Sequence, residues 1–429
     1  MKSLLAFLDD AVTPFHAVKE VVAILEENGF TALSEREAFK IKKGGKYYVT
    51  RNSSSLIAFC VPDKEASAFK MASAHTDFPA FRVKETVDST THYTRLAVER
   101  YGGTLSTTWF DRPLSVAGRI FARADGAVKE YLVNMQKEYV VIPSLAIHLN
   151  RDANTKAPLV DPKCDMLPLA ADTEAPAFLE KVYASACVCA SDVLSTELYL
   201  YASSPAFVWG DRRLVTSARL DDLMCVYGLL AGFVRAEHRD AVSVLALFDN
   251  EEVGSTTKQG ADSSFLLDTL ERIAESLGKS SAEYKQMIAN SFMISADNAH
   301  AVHPNHPELA DKEGGRVYMN EGIAIKHSSN AKYTTDACSE ALLIALCEAN
   351  GIPYQKYHNR ADLLGGSTLG NISCSHVSVS SVDIGLAQLA MHSAVETAGL
   401  LDLDYLISLS EHYYASTLAF EEGAWKWIN

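Results

Sequence analysis

The densest chemistry in the sequence is Asp249-Asn250-Glu251-Glu252. Three carboxylates within four residues repel one another unless a cation neutralises them or one takes up a proton. An isolated acidic cluster is ordinarily a solvated turn. This one directly follows a nearly continuous apolar run at residues 241–248 and is flanked by Gly254. It therefore reads as the carboxyl end of a buried strand, the place where open α/β sheets bind their ligands. A second pattern, His75-Thr76-Asp77, also follows a short apolar run, at residues 70–74. His-x-Asp is a common way to hold a metal-binding imidazole, with the carboxylate fixing its tautomer or orientation. Alone it is a weak motif, and a hydrogen-bonded core histidine is the commoner reading.

Three further patterns join these. Ser295-Ala296-Asp297 places an acid at the end of an expected strand at residues 291–295. Arg219-Leu220-Asp221-Asp222 opens an expected helix, where a carboxylate also serves as a cap. His392, in the segment LAMHS, follows an extended run at residues 377–384. Each has a purely structural reading when taken singly. Together they offer two histidines and several carboxylates, mostly at strand ends of one sheet, and nitrogen plus oxygen ligands suit zinc. A pair of metals about 3.5 Å apart needs one bidentate bridging carboxylate, terminal ligands on each ion and a base for the attacking water. This set contains all of those parts.

The elements that must position these residues fall into two textures. Residues 13–29 read as a helix, with Thr13 as N-cap, Pro14 at the first helical position and Gly29 at the end. Apolar strands at 56–61, 70–74, 241–248 and 291–295 show little alternation. Helices are expected at 220–234, 265–277 and 337–349. Strands of that kind separated by helices imply a mostly parallel, doubly wound α/β sheet covered on both faces. From residue 85 to 209 the pattern changes to short alternating runs, with a hairpin signature at 114–122, Asp125-Gly126 and 127–133. A strand at 139–143, a helix at 178–194 and a strand at 196–201 are expected there. Because the chemistry-bearing residues flank this block, the chain is expected to form a catalytic domain from 1–84 and 210–429, interrupted by a β-rich inserted domain.

A chain of 429 residues exceeds what one core usually organises, which fits two domains. Its formal net charge of −15 makes it a poor general ligand for nucleic acid or anionic membrane. Residues 1–12 lack a secretory apolar core, and no run approaches the ~20 apolar residues needed to span a bilayer. A soluble, cytoplasmic protein is the expectation. The eight scattered cysteines show no CxxC spacing and read as free or buried thiols. There is no GxSxG elbow, and His303-Pro304-Asn305-His306 cannot continue as the helix of an HExxH site. The glycines at 365–370 are not followed by the Lys-Ser of a phosphate loop.

The chain resembles the aspartyl aminopeptidase family of di-zinc peptidases over nearly its whole length. The resemblance rests on TPFHAV at 13–18, SAHTDFP at 73–79, TWFDR at 108–112, LAIHLNR at 145–151 and ARLDDL at 218–223. It continues with FDNEEVGS at 248–255, SADNAHAVHPN at 295–305, GGSTLG at 365–370 and LAMHS at 389–393. The family implies that Asp221 bridges two zinc ions, for which cobalt or manganese can substitute. His75 and Asp297 would complete one ion, Glu252 and His392 the other. Glu251 would be the general base that activates a metal-bridging water, and Asp77 would orient His75. The resemblance places Lys326, Gly365, Gly366 and Ser367 at the substrate. It further implies that the insert makes dimers within a homododecamer and that His148 reaches a neighbouring subunit's active site. The implied function is removal of the N-terminal residue of peptides, with preference for Asp or Glu. A neutral or leucyl preference, and a non-catalytic assembly or cargo role, are the alternatives.

Overall fold

The computed structural model describes residues 2–88, 92–136, 139–156, 159–172, 178–363, 365–421 and 423–428. Nine strands form the principal sheet, in the order Thr31–Ala32, Lys46–Arg51, Ser55–Cys60, Val242–Phe248, Phe69–His75, Phe292–Ala296, Ser380–Gly385, Ile323–His327 and Tyr354–His358. The four central strands, from Val242–Phe248 to Ser380–Gly385, run parallel to one another. Strands Ser55–Cys60 and Ile323–His327 pair antiparallel to them on either side. The fold is α/β, as the unalternating strand pattern requires.

Burial explains that pattern. Every residue of Phe69–His75, Val242–Phe248 and Phe292–Ala296 is buried. Successive side chains point to opposite faces of a strand. Leu245 and Leu247 join a core with helices Pro14–Glu27, Leu220–Arg235, Ala337–Ala349 and Leu400–Ala415. Val244, Ala246 and Phe248 join a second core with Phe265–Ser276 and Leu369–His376. Each fully buried Leu or Phe contributes roughly 1.5–3 kcal/mol, so both faces must be covered for the sheet to persist. Helices Leu220–Arg235 and Leu400–Ala415 pack closely because Gly232 presents no side chain. A Cβ there would lie 2.6 Å from the Ile407 carbonyl oxygen.

A second, six-stranded antiparallel sheet is ordered Ala127–Asn134, Leu114–Ala124, Val193–Ala202, Ala80–Asp88, Tyr93–Tyr101 and Leu169–Asp172. It has its own core, which includes Phe81, Trp109, Ile120 and Leu198. The hairpin turns at Asp125 and Gly126, whose φ values of 53° and 76° match the left-handed pair such two-residue loops use. Two local expectations change. The helix is only Phe178–Ser185. Cys187 then takes a left-handed conformation, and Val193 and Leu194 join strand Val193–Ala202. The expected strand at 139–143 is a set of isolated bridges from Val140, Val141 and Ile142 to three different segments. Of the block from 85 to 209, residues 89–91, 137–138, 157–158 and 173–177 lie outside the described residues.

A third sheet links Phe207–Trp209, Leu214–Ser217, Glu396–Gly399, Ala387–Leu389 and Ala299–His300. It leads the chain into Asp221 and holds the loop bearing His392. All eight cysteines are unpaired. Among the described residues no helix is long and apolar enough to cross a membrane.

Candidate metal centre

Parallel strands in register bring their carboxyl ends to one edge. Phe248 pairs with His75 and Ala296 with Ile384, so Asp249–Glu252, His75 and Asp297 emerge side by side. Asp221 enters from the start of helix Leu220–Arg235, where it and Asp222 depart from helical dihedrals. His392 enters from the third sheet.

The result is two overlapping groups of atoms that could hold a metal ion. One imidazole and carboxylate oxygens of His75, Asp221, Asp222 and Asp297 lie within 4.8 Å of one another, as do those of Asp221, Glu252 and His392. Asp221 is common to both. Its Oδ1 stands 3.9 Å from His75 Nε2 and its Oδ2 3.5 Å from His392 Nε2. His392 Nε2 is also 3.4 Å from Glu252 Oε1. His75 joins Glu251 and Glu252 in a further group.

This arrangement is electrostatically unfinished. Asp221 Oδ1, Asp222 Oδ1 and Glu252 Oε1 are buried without a hydrogen-bond partner. A buried, unsatisfied carboxylate oxygen is costly, and a cation is the usual remedy. Burial raises Glu252 well above the ordinary carboxylate range, with Asp221 adding to the rise. Burial likewise lifts Glu251 to about 8, although His75 pulls the other way. For His75, burial opposes the charged form, but Asp77, Asp222 and Glu251 raise it well above 6.5. For Asp221 burial is outweighed by the hydrogen bond to His392 and the charge of His75, and the group is lowered. The donor set, imidazole nitrogens with carboxylate oxygens, fits zinc.

Supporting contacts aim these side chains. His75 Nδ1 lies 3.0 Å from the Asp77 carbonyl and 3.4 Å from its Oδ1, leaving Nε2 directed at the cluster. Asp77 Oδ1 and Oδ2 accept the backbone N–H groups of Glu251 and Glu252 at 3.0 and 3.2 Å. His392 Nδ1 lies 3.2 Å from the Gly103 carbonyl. Gly102, at φ +70°, passes so close that a Cβ would lie 3.1 Å from Glu252 Cβ. Only glycine meets both the left-handed conformation and the close approach.

Sequence reasoning missed Glu396 and Tyr101, and gave Asp222 no role apart from Asp221. The two Glu396 oxygens accept the backbone N–H of Asp221 at 3.0 Å and of His392 at 2.8 Å. Asp222 Oδ2 accepts the His75 N–H at 3.3 Å. Tyr101, from the second sheet, donates to Asp77 Oδ2 at 2.7 Å. A burial pattern reading strand 396–399 as interior would have exposed Glu396 as a buried acid needing a purpose. No local signal marks Tyr101.

The cavity over the cluster is lined by Glu251, Glu252, Asp297, Lys326, His300 and Tyr333, with Gly366, Ser367 and His392 at its walls. Lys326 is 3% exposed, 3.4 Å from Asp297 Oδ1 and 5.5 Å from the Tyr333 ring centre. Burial opposes its charge, yet Asp297 and Tyr333 hold it above the usual lysine range. Gly365 is not among the lining residues and stands against Asn359, where a Cβ would meet the side-chain nitrogen at 2.2 Å. His148 is exposed, between exposed Ile147 and Leu149, and does not line this cavity.

Comparison with known proteins follows the geometry. Residues 7–414 match the family model described as aminopeptidase I zinc metalloprotease (M18). A "Probable M18 family aminopeptidase 2" of Clostridium acetobutylicum is 42% identical over 425 residues, covering 96% of this chain and 98% of that protein. A chain in the cryo-EM structure of the Ape4 and Nbr1 complex superposes with a TM-score of 0.92 at 32% identity, over 96% of this chain and 84% of that one. The S. cerevisiae mApe1 dodecamer superposes with a TM-score of 0.85 at 26% identity, over 96% of this chain and 95% of that one.

Proposed function

Because the chain belongs to the M18 family of zinc metallo-aminopeptidases, we propose that it removes N-terminal residues from peptides at a centre where two groups sharing Asp221 would hold two zinc ions. The observation that carries this reading is the pair of ligand groups sharing Asp221. His75 and Asp297 would serve one ion, and Glu252 and His392 the other. Asp222 keeps its hydrogen bond to the His75 backbone. Zinc, when bound, supplies Lewis acidity at the scissile carbonyl.

The chain's own groups do the rest. Glu251 belongs to neither Asp221-sharing group and faces the cavity, so it is free to take a proton from the attacking water and return it to the leaving amine. Asp77 holds His75 and the Glu251–Glu252 backbone in place. Lys326, a buried cation on the cavity wall, favours an acidic side chain on the departing residue, with Gly366 and Ser367 giving the substrate close access to backbone. His148 would act at a neighbouring subunit's site in a dodecamer like that of S. cerevisiae mApe1, with the second sheet making the dimer contact. Its exposed position away from its own cavity agrees with that role.

The test is a panel of chromogenic aminoacyl substrates carrying Asp, Glu, Leu, Ala and Lys, with zinc counted per subunit. Cleavage led by Asp or Glu, abolished by chelation and with two zinc ions bound, is expected. Cleavage led by Leu or Ala would discard the acidic preference, and a zinc-loaded protein that cleaves nothing would discard the peptidase reading.

A further inference from the structure

A line of side-chain hydrogen bonds runs from the surface to Asp77, and its direction is fixed at the outer end. Lys258, an exposed ammonium, can only donate. Its Nζ lies 3.1 Å from Gln259 Oε1. The Gln259 amide nitrogen must then face the other way, and it donates to Asn250 Oδ1 at 2.8 Å. Thr257 Oγ1 donates to the same Asn250 oxygen at 2.8 Å. Asn250 is thereby turned so that its nitrogen donates to the Tyr101 hydroxyl, also at 2.8 Å. A hydroxyl has one proton, and with its oxygen accepting from Asn250 that proton goes to Asp77 Oδ2 at 2.7 Å.

We propose that Tyr101 is a positioning residue of the metal centre, and that the oriented line Lys258–Gln259–Asn250–Tyr101 fixes the Asp77 side chain in the orientation that meets the Glu251 and Glu252 N–H groups. The inference rests on the zinc reading above. As an acceptor at both oxygens, Asp77 receives the N–H groups of Glu251 and Glu252 and stands beside His75 Nδ1. One carboxylate thus sets His75 Nε2, the Glu252 ligand and the Glu251 base at once. Tyr101 ends strand Tyr93–Tyr101 of the second sheet and is followed by Gly102 and Gly103. Those glycines lie against Glu252 and hydrogen-bond His392. The second sheet therefore braces both ligand groups.

Tyr101→Phe removes the hydroxyl and keeps the ring that packs edge-on to Tyr199 at 5.7 Å. Asn250→Asp keeps shape, and Asp tolerates the left-handed backbone at that position (φ 62°). It reverses the line, because a carboxylate would draw the tyrosine proton away from Asp77. It also adds a negative charge, which by itself would attract cations. Tyr199→Phe is the control. Zinc affinity is read by competition with a chromogenic chelator, alongside kcat and KM. Removing such outer contacts ordinarily costs about 10–100-fold in metal affinity or activity. Both variants are expected to lose that much zinc affinity and kcat with KM nearly unchanged, while Tyr199→Phe matches wild type. Wild-type chelator resistance in Tyr101→Phe and Asn250→Asp overturns the inference alone. A wild-type protein that binds no zinc overturns the metal reading and the inference together.

Discussion

Glu251 and Glu252 are adjacent carboxylates in different surroundings. Glu252 Oε1 is buried against His392 without a hydrogen bond, whereas Glu251 stands in no group with Asp221. Glu251→Gln is expected to lower kcat by about 10²–10⁴-fold, the usual scale of a lost general base. Zinc per subunit should stay unchanged, as measured by atomic absorption. Glu396 calls for a different test because both of its oxygens accept backbone N–H groups. In Glu396→Gln an amide N–H₂ must face one of those donors. Zinc affinity is expected to fall about 10–100-fold by chelator competition. At this scale the sequence reveals residues that cap apolar runs, such as His75, Asp297 and the 249–252 cluster. It conceals those whose purpose depends on a distant partner, as with Glu396 and Tyr101.

Elements were legible where one physical requirement dominated. The host strands are buried on both faces, so their sequences are unbroken apolar runs that admit one interpretation. The helix at 178–185 was overextended in expectation because nothing in residues 186–194 forbids helix; pairing with strand Leu114–Ala124 decides the outcome. Helix packing offers its own prediction. Gly232→Ala gains helix propensity of about 1 kcal/mol but forces a methyl onto the Ile407 carbonyl. The expected net effect is destabilisation by about 1–3 kcal/mol, seen as a lowered melting temperature. Helix Pro14–Glu27 carries a pH dependence. Its His16 is 8% exposed, and burial, aided by Lys19 and opposed by Asp10, lowers its pKa to about 4. The folded state prefers neutral imidazole, so its stabilisation is complete above about pH 6.5 and is lost as pH falls toward 4. The loss amounts to at most about 3 kcal/mol. The melting-temperature gap between wild type and His16→Gln should narrow across that window, and a gap independent of pH would contradict the assignment.

At the scale of the whole molecule, the α/β architecture and the family were both legible in the order of motifs, whereas the third sheet was not. Its strands Leu214–Ser217, Glu396–Gly399 and Ala299–His300 are short and come from distant parts of the chain. If His148 serves a neighbour, subunits carrying Glu251→Gln and subunits carrying His148→Ala are each nearly inactive. Mixed and reassembled, they should regain part of the activity, because some sites then draw an intact His148 and an intact Glu251 from different chains. No recovery in verified mixed oligomers would place His148 outside catalysis. The scattering of the ligands along the chain also bears on how the protein comes to hold metal during synthesis. His75 leaves the ribosome early, Asp221 midway, and His392 only when little of the chain remains. The group that includes His392 is therefore the last to be completed, and groups so far apart in sequence meet only after costly loop closure. If both groups hold zinc, copies terminated before residue 392 should bind less zinc per chain than the full chain, as counted by atomic absorption.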